Sequence, residues 1–207
     1  DSGLEISCLS SDASCLLSLP FDAVTDNIRA YIDLCVTVGT DKVRLLAEEW
    51  GAPSEYIDKK LVYNNLCKVV PYAEEKGITL MVETCGIYAD SHVMRKLIQS
   101  IGSPNVKVLW DIHHPFTYWN ERPSETVDNL GEYIVHVHVK DSIMVSGRPV
   151  YKMLGYGNIP VQECIDELKS SGFDGYLSLE WMKRWNDELE APGIVFAHYI
   201  KKIKKYL

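Results

Sequence analysis

The sequence carries no C-x-x-C pair, no long uninterrupted apolar run, no Gly/Ser-rich linker and no Gly-rich phosphate loop of the P-loop kind. Each absence removes a class of protein. Six cysteines without paired spacing, most of them inside apolar runs such as IDLCVTV (32–38), predict reduced core thiols of a cytoplasmic protein. They argue against a disulfide framework or a zinc knuckle. With no signal-peptide pattern and no apolar stretch of about 18 residues, the chain is expected to be soluble and intracellular.

Positive charge is scarce as well. Lys and Arg number 21 against 29 Asp and Glu, which leaves a formal charge of −8. A nucleic-acid backbone or an anionic membrane surface requires a clustered positive field, so neither is an expected partner. The one basic cluster, Lys201, Lys202, Lys204 and Lys205, ends a helical pattern, where cations complement the helix dipole. A small-molecule partner fits this balance better.

What is present is enough apolar material, 46% of 207 residues, to bury a sizeable core as a single domain spanning 1–207. Short apolar or β-branched runs alternate with longer amphipathic segments, the pattern of βα units around a parallel sheet. Seven strands are predicted, at 4–11, 42–47, 78–86, 106–114, 134–141, 150–154 and 175–181. Helices are predicted at 22–39, 55–77, 90–102, 123–133 and 160–172, with Asp90 or Ser91 as an N-cap and Gly39, Gly77, Gly102 and Gly172 as C-terminal stops. The terminal segment PGIVFAHYIKKIKKYL places Ile200, Ile203 and Leu207 on one stripe of a last outer helix. A closed (β/α) barrel needs eight strands. The chain opens almost directly in a strand, so the expectation is an α/β TIM barrel of about seven strands lacking its first βα unit, or an open sheet.

The stretch VLWDIHHPF (108–116) is the strongest strand signal, and it delivers Asp111, His113 and His114 to one spot before Pro115 stops it. Glu83 closes ITLMVE, His138 lies in IVHVHVKD and Glu180 closes YLSLE. In parallel barrels the C-terminal end of every strand faces the active site. A single strand-end Glu is ordinarily a solvated loop residue; the shared register of four such residues is what points to a site. Three crowded carboxylates repel one another unless a cation neutralises them. With one imidazole they make a site for a divalent ion such as Mn²⁺, Mg²⁺, Co²⁺ or Zn²⁺. Alternation puts His136 and His138 on one face, so one of them ligates and the other packs. His113 and His114 would point to opposite sides, which makes one of them structural. Trp110, Trp119, Trp181 and Trp185 read either as an apolar rim for a sugar or as core.

At VETCG (82–86), WDIHHPF (110–116), HVHVKD (136–141), LGYGNIP (154–160) and GFDGYLSLEW (172–181) the sequence resembles the xylose-isomerase-like TIM-barrel superfamily. Within it, the likeness is to the sugar phosphate isomerase/epimerase group, which includes ketose 3-epimerases and inosose dehydratases. The resemblance implies metal ligands at Glu83, Asp111, His138 and Glu180, with Glu83 and Glu180 as base and acid on the two faces of a sugar or polyol ketone. It also implies His114 and Lys140 as substrate contacts, with Asp141 positioning the lysine.

Where the epimerase branch has an arginine six residues after its metal histidine, this chain has Met144, which tilts the match toward the H-x-K-D branch and its dehydratase-like lyases. Epimerisation, isomerisation and dehydration all remain open, as does a non-catalytic sugar-binding barrel. An abasic-site nuclease of the same superfamily uses many more histidines than the 6 present. Members of the group often form dimers or tetramers, so a homo-oligomer is an option that the resemblance leaves open.

Overall fold

The structure, a computed structural model, describes residues 3–11, 16–20 and 22–207. In chain order it runs β1 (Leu9–Ser10), α1 (Asp22–Val38), β2 (Lys42–Leu45), α2 (Lys59–Lys76), β3 (Thr79–Glu83), α3 (Ser91–Ile101) and β4 (Val106–Asp111). There follow α4 (His113–Trp119), α5 (Pro123–Leu130), β5 (Ile134–Val139), β6 (Asp141–Val145), β7 (Arg148–Lys152), α6 (Val161–Ser170), β8 (Tyr176–Leu179) and α7 (Pro192–Ile203).

Six of these strands form one parallel sheet in the order β1-β2-β3-β4-β5-β8. Parallel strands are buried on both faces and read as near-continuous apolar runs. Accordingly Leu80, Met81 and Val82 of β3 and Val108, Leu109 and Trp110 of β4 are all buried. The helices bury one stripe each at helical spacing: Val24, Ile28, Ile32 and Cys35 on α1, and Val62, Leu66, Val69 and Ala73 on α2. Tyr176 Oη on β8 donates to Glu5, just before β1, at 2.5 Å, so one hydrogen bond links the segments beside the two outer strands. This is a barrel wall of six strands with its helices outside.

Helix boundaries follow local chemistry. Asp58 accepts hydrogen bonds from Lys60 N and Leu61 N, both at 3.0 Å, so α2 begins after it and not at 55. Asp90, not Ser91, caps α3 through His92 N and Val93 N. Gly77 closes α2 in the left-handed region, with φ 67°, where a side chain would be strained.

Four expectations need correction. The predicted strand at 150–154 is real but belongs to an antiparallel hairpin, β6 with β7, outside the parallel sheet. Asp141–Val145 supplies its partner, and the short turn at Ser146–Gly147, both at positive φ, brings the chain straight back. The 106–114 strand stops at Asp111, because Asp111 Oδ1 accepts from His113 N at 2.8 Å and starts α4. The buried stripe of α7 is Val195, Tyr199 and Ile203, while Ile200 is exposed and Leu207 lies beyond the helix. Among the cysteines, Cys35, Cys85 and Cys164 are buried, Cys8 is half-buried and Cys67 lies exposed on α2; Cys15 falls outside the described residues. Among the described residues no helix is long and apolar enough to cross a membrane.

Candidate active site

Strand register alone brings the acidic residues together. Asp111 on β4 pairs with His138 on β5, and His138 pairs with Ser178 on β8, two residues before Glu180. Glu83 ends β3, whose partner is β4. The result is a group of four, Glu83, Asp111, His138 and Glu180, whose ligand-type atoms all lie within 4.8 Å of one another. The first three are buried and Glu180 is half-buried.

Two cations sit against this group. Arg44 Nη1, from β2, donates to Glu83 Oε2 at 2.9 Å and lies 3.6 Å from Glu180 Oε1. Lys140 Nζ lies 2.6 Å from Asp111 Oδ2 and 2.5 Å from Glu180 Oε2. His138 Nδ1 is 3.2 Å from Glu83 Oε1 and 3.8 Å from Glu180 Oε1.

Burial by itself would push the Glu83 carboxyl up, but the Arg44 guanidinium and then His138 outweigh it, offsetting the repulsion from Glu180, and hold it at about 2. Glu180 is likewise kept well below the carboxylate range against burial, chiefly by Lys140 and His138. Burial would lower Lys140, yet the surrounding Asp111, Glu180 and Glu83 charges raise it well above its ordinary value. It is an ammonium at neutral pH. His138 is raised in the same way, against burial, by Glu83.

His136 and His138 of β5 divide as expected, one packing and one joining the group, whereas His113 and His114 take their directions from α4 and not from strand alternation. His136 packs instead of joining the group: its Nε2 meets Ser178 Oγ at 2.8 Å and Cys8 Sγ at 3.9 Å. His113 is fully buried, with Nε2 2.7 Å from Ser142 Oγ. His114 turns Nδ1 toward the Thr84 carbonyl at 2.8 Å and Nε2 toward Asp111 Oδ2 at 3.8 Å. The Thr84 carbonyl thereby fixes the orientation of the ring, with Nε2 on the side of the carboxylate.

Glu83 and Glu180 of this group line the floor of a cavity of about 560 Å³, together with Arg44, Lys140, His114 and Tyr151. Of the tryptophans, Trp110 is core, while Trp119 and Trp181 spend their indole N–H on the carbonyls of Gly86 and Glu190. Only Trp185 of that set lines the cavity, together with Trp50, which the sequence reasoning passed over. Arg44 was missed too. Its one signal in the sequence is a charge inside the strand run KVRLLA.

Three carboxylates and an imidazole converging within this distance suit a divalent ion, since hard oxygen donors with one borderline nitrogen accept Mg²⁺, Mn²⁺, Co²⁺ or Zn²⁺. Arg44 and Lys140 bind carboxylate oxygens of the group, as partners that orient ligands do. The residues present therefore fit a metal.

Comparison with known proteins identifies the family. A family model described as a xylose isomerase-like TIM barrel matches residues 1–196. An uncharacterised protein of Methanocaldococcus jannaschii is 29% identical over 173 residues, covering 78% of this chain and 56% of the relative. Fructoselysine 3-epimerase of Shigella flexneri is 25% identical over 170 residues, covering 79% of this chain and 60% of the relative. The chain thus spans a little over half the length of these curated relatives. Among solved structures, a xylose isomerase domain protein from Planctomyces limnophilus superposes with a TM-score of 0.79 at 15% identity, covering 99% of this chain and 77% of that one.

Proposed function

Because this chain belongs to the xylose isomerase-like TIM-barrel family, we propose that it is a divalent-metal-dependent isomerase or epimerase of a sugar or polyol ketone. The observation that carries the reading is the convergence of Glu83, Asp111, His138 and Glu180 at the ends of four neighbouring strands, with Glu83 and Glu180 lining one cavity. A relative named as a fructoselysine 3-epimerase supports it.

In this reading the four residues hold one Mn²⁺, Mg²⁺, Co²⁺ or Zn²⁺, which supplies Lewis-acid polarisation of a substrate carbonyl. The protein supplies the proton chemistry. A proton on carbon beside a carbonyl is weakly acidic, so the base must be ionised and fixed in place. Glu83 meets both needs: Arg44 keeps it deprotonated and anchors Oε2. Glu180, held by Lys140, faces the cavity from the next wall and serves the opposite face of the substrate. The Lys140 ammonium lies where negative charge develops on the substrate oxygen, and a fixed cation there lowers the barrier without reorganising. His114, braced by the Thr84 carbonyl, contacts a substrate hydroxyl through Nε2.

Returning the proton to the other face epimerises the substrate, and returning it to the neighbouring carbon isomerises it. A second reading, expulsion of a β-hydroxyl, is favoured by one observation: Met144 lies exposed on β6, where the epimerase branch has its arginine, while Lys140 occupies the site.

Solvent-exchange NMR tests the proposal. Incubation of the metal-loaded protein with ketoses and inososes in D₂O should place deuterium on the carbon beside the carbonyl of at least one of them, and Glu83→Gln should abolish the exchange. Exchange that persists undiminished in Glu83→Gln would remove Glu83 as the base.

A further inference from the structure

Part of the cavity has no role in the chemistry proposed for its floor. Trp50 and Trp185 are 63% and 59% exposed, yet both line the same cavity as Glu83, Lys140 and Glu180. They reach it from the loops after β2 and β8. Exposed Glu49, Arg184 and Asn186 line it beside them.

Both indoles hang from anchored backbone. The Trp50 carbonyl accepts from Cys85 Sγ at 3.2 Å, and the next residue's carbonyl, Gly51 O, accepts from Gly86 N at 3.1 Å. Gly51 also packs so closely on His114 that an added Cβ would lie 2.5 Å from its ring, which ties the Trp50 loop to the floor. On the other side, Trp185 N donates to Met182 O at 2.9 Å in the turn that follows Glu180. The Arg184 guanidinium lies 5.0 Å from the centre of the Trp185 ring. Two indoles therefore line the same cavity from anchored loops, with the Arg184 guanidinium lying over the Trp185 ring and Glu49 and Asn186 beside them.

A sugar ring has that pair of surfaces: a C–H face that stacks on an indole and a rim of hydroxyls that meets carboxylate, amide and guanidinium groups. A volume of about 560 Å³ lies well inside the range of pockets that enclose drug-sized ligands, more than one reacting ring at the floor needs. We infer that the mouth is a subsite for a second sugar ring, so that the substrate is a keto-sugar glycosidically joined to another sugar, with the keto ring on the floor and its partner against Trp50 and Trp185. This inference rests on the sugar reading of the floor.

Calorimetric titration of the purified, metal-loaded protein with fructose and with the ketose disaccharides lactulose and maltulose tests it. A disaccharide should bind about tenfold or more tighter than fructose, and Trp50→Ala or Trp185→Ala should bring the ratio toward one. Equal affinities in the native protein, no disaccharide binding at all, or a ratio that survives both substitutions would overturn the subsite. The floor reading fails separately. If disaccharides bind preferentially but neither they nor fructose exchange a carbon-bound proton in D₂O, the subsite stands and the isomerase assignment falls. If fructose exchanges and binds as well as the disaccharides, the reverse holds.

Discussion

Lys140 Nζ lies 2.6 Å from Asp111 Oδ2, with the two residues only 4% and 0% exposed. The same ammonium reaches Glu180, so one buried cation spans two carboxylates from β4 and the end of β8. Water cannot replace it there. Lys140→Met should remove the ammonium that bridges Asp111 and Glu180 and lower the unfolding free energy by about 3–5 kcal/mol, the usual cost of removing one partner of a buried pair. Urea denaturation checks this, and unchanged stability would mean that the lysine is not a structural counter-ion.

Metal retention depends on the carboxylates more directly. Elemental mass spectrometry of wild type and Asp111→Asn, purified side by side, should show about one equivalent of a divalent ion in the first and little in the second. Circular dichroism of both preparations separates ligand loss from unfolding. Comparable metal in the two proteins would remove Asp111 from the ligand set.

Much of this site was legible because strand ends carry their own signature. An acid that closes an apolar run, as Glu83 closes ITLMVE and Asp111 closes VKVLWD, cannot face the core, and repetition of that event places it on one rim of the sheet. What could not be read was partnership across the sheet. Arg44 looks like a strand-edge charge until β2 is laid beside β3 and its guanidinium meets Glu83. The β6–β7 hairpin was hidden for a related reason: VYKML has strand composition, but nothing local says whether its neighbour is parallel or antiparallel. His113 and His114 are legible as a pair, but their helical setting is not, because Asp111 Oδ1 accepts from His113 N and the chain turns into α4 three residues before the apparent strand ends.

The hairpin and the loop after it depend on one buried carboxylate. Asp141 accepts from four backbone N–H groups, Ser142 and Ile159 on Oδ1 and Gly155 and Gly157 on Oδ2, at 2.8–3.2 Å. It is the residue next to Lys140, so this fastening also fixes the lysine's strand end. Asp141→Ala would orphan those donors, each worth about 1–3 kcal/mol when buried without a partner. A Cβ on Gly157 would lie 2.0 Å from Asp141 Oδ1, so Gly157→Ala should loosen the same loop from the opposite direction. Hydrogen exchange should show lost protection at 141–159 in both variants, with the helices α1 and α2 unaffected; protection that stays native in both would dismiss the fastening.

Acid stability should be set by imidazoles that the fold holds neutral. Burial first, then the nearby His114 and Lys140 charges, takes His113 down to about 2, and burial with His138 and Lys42 takes His136 down to about 4. Both titrate at about 6.5 in an unfolded chain. The unfolded state therefore binds more protons than the folded state below that value, and the stability these groups contribute is complete above about 6.5 and drains away as the pH falls toward 4 for His136 and further for His113. His138 works in the opposite sense, since Glu83 raises it above its ordinary value against burial, and its protonation favours the fold as the pH drops. Chelator-treated protein should accordingly lose melting temperature as the pH falls from about 7 toward 5. His113→Gln/His136→Gln keeps a donor near Ser142 and Ser178 but removes both titrations, leaving His138 to dominate. The decline should then vanish or reverse; a slope identical to wild type would show that these two rings are not what acid attacks.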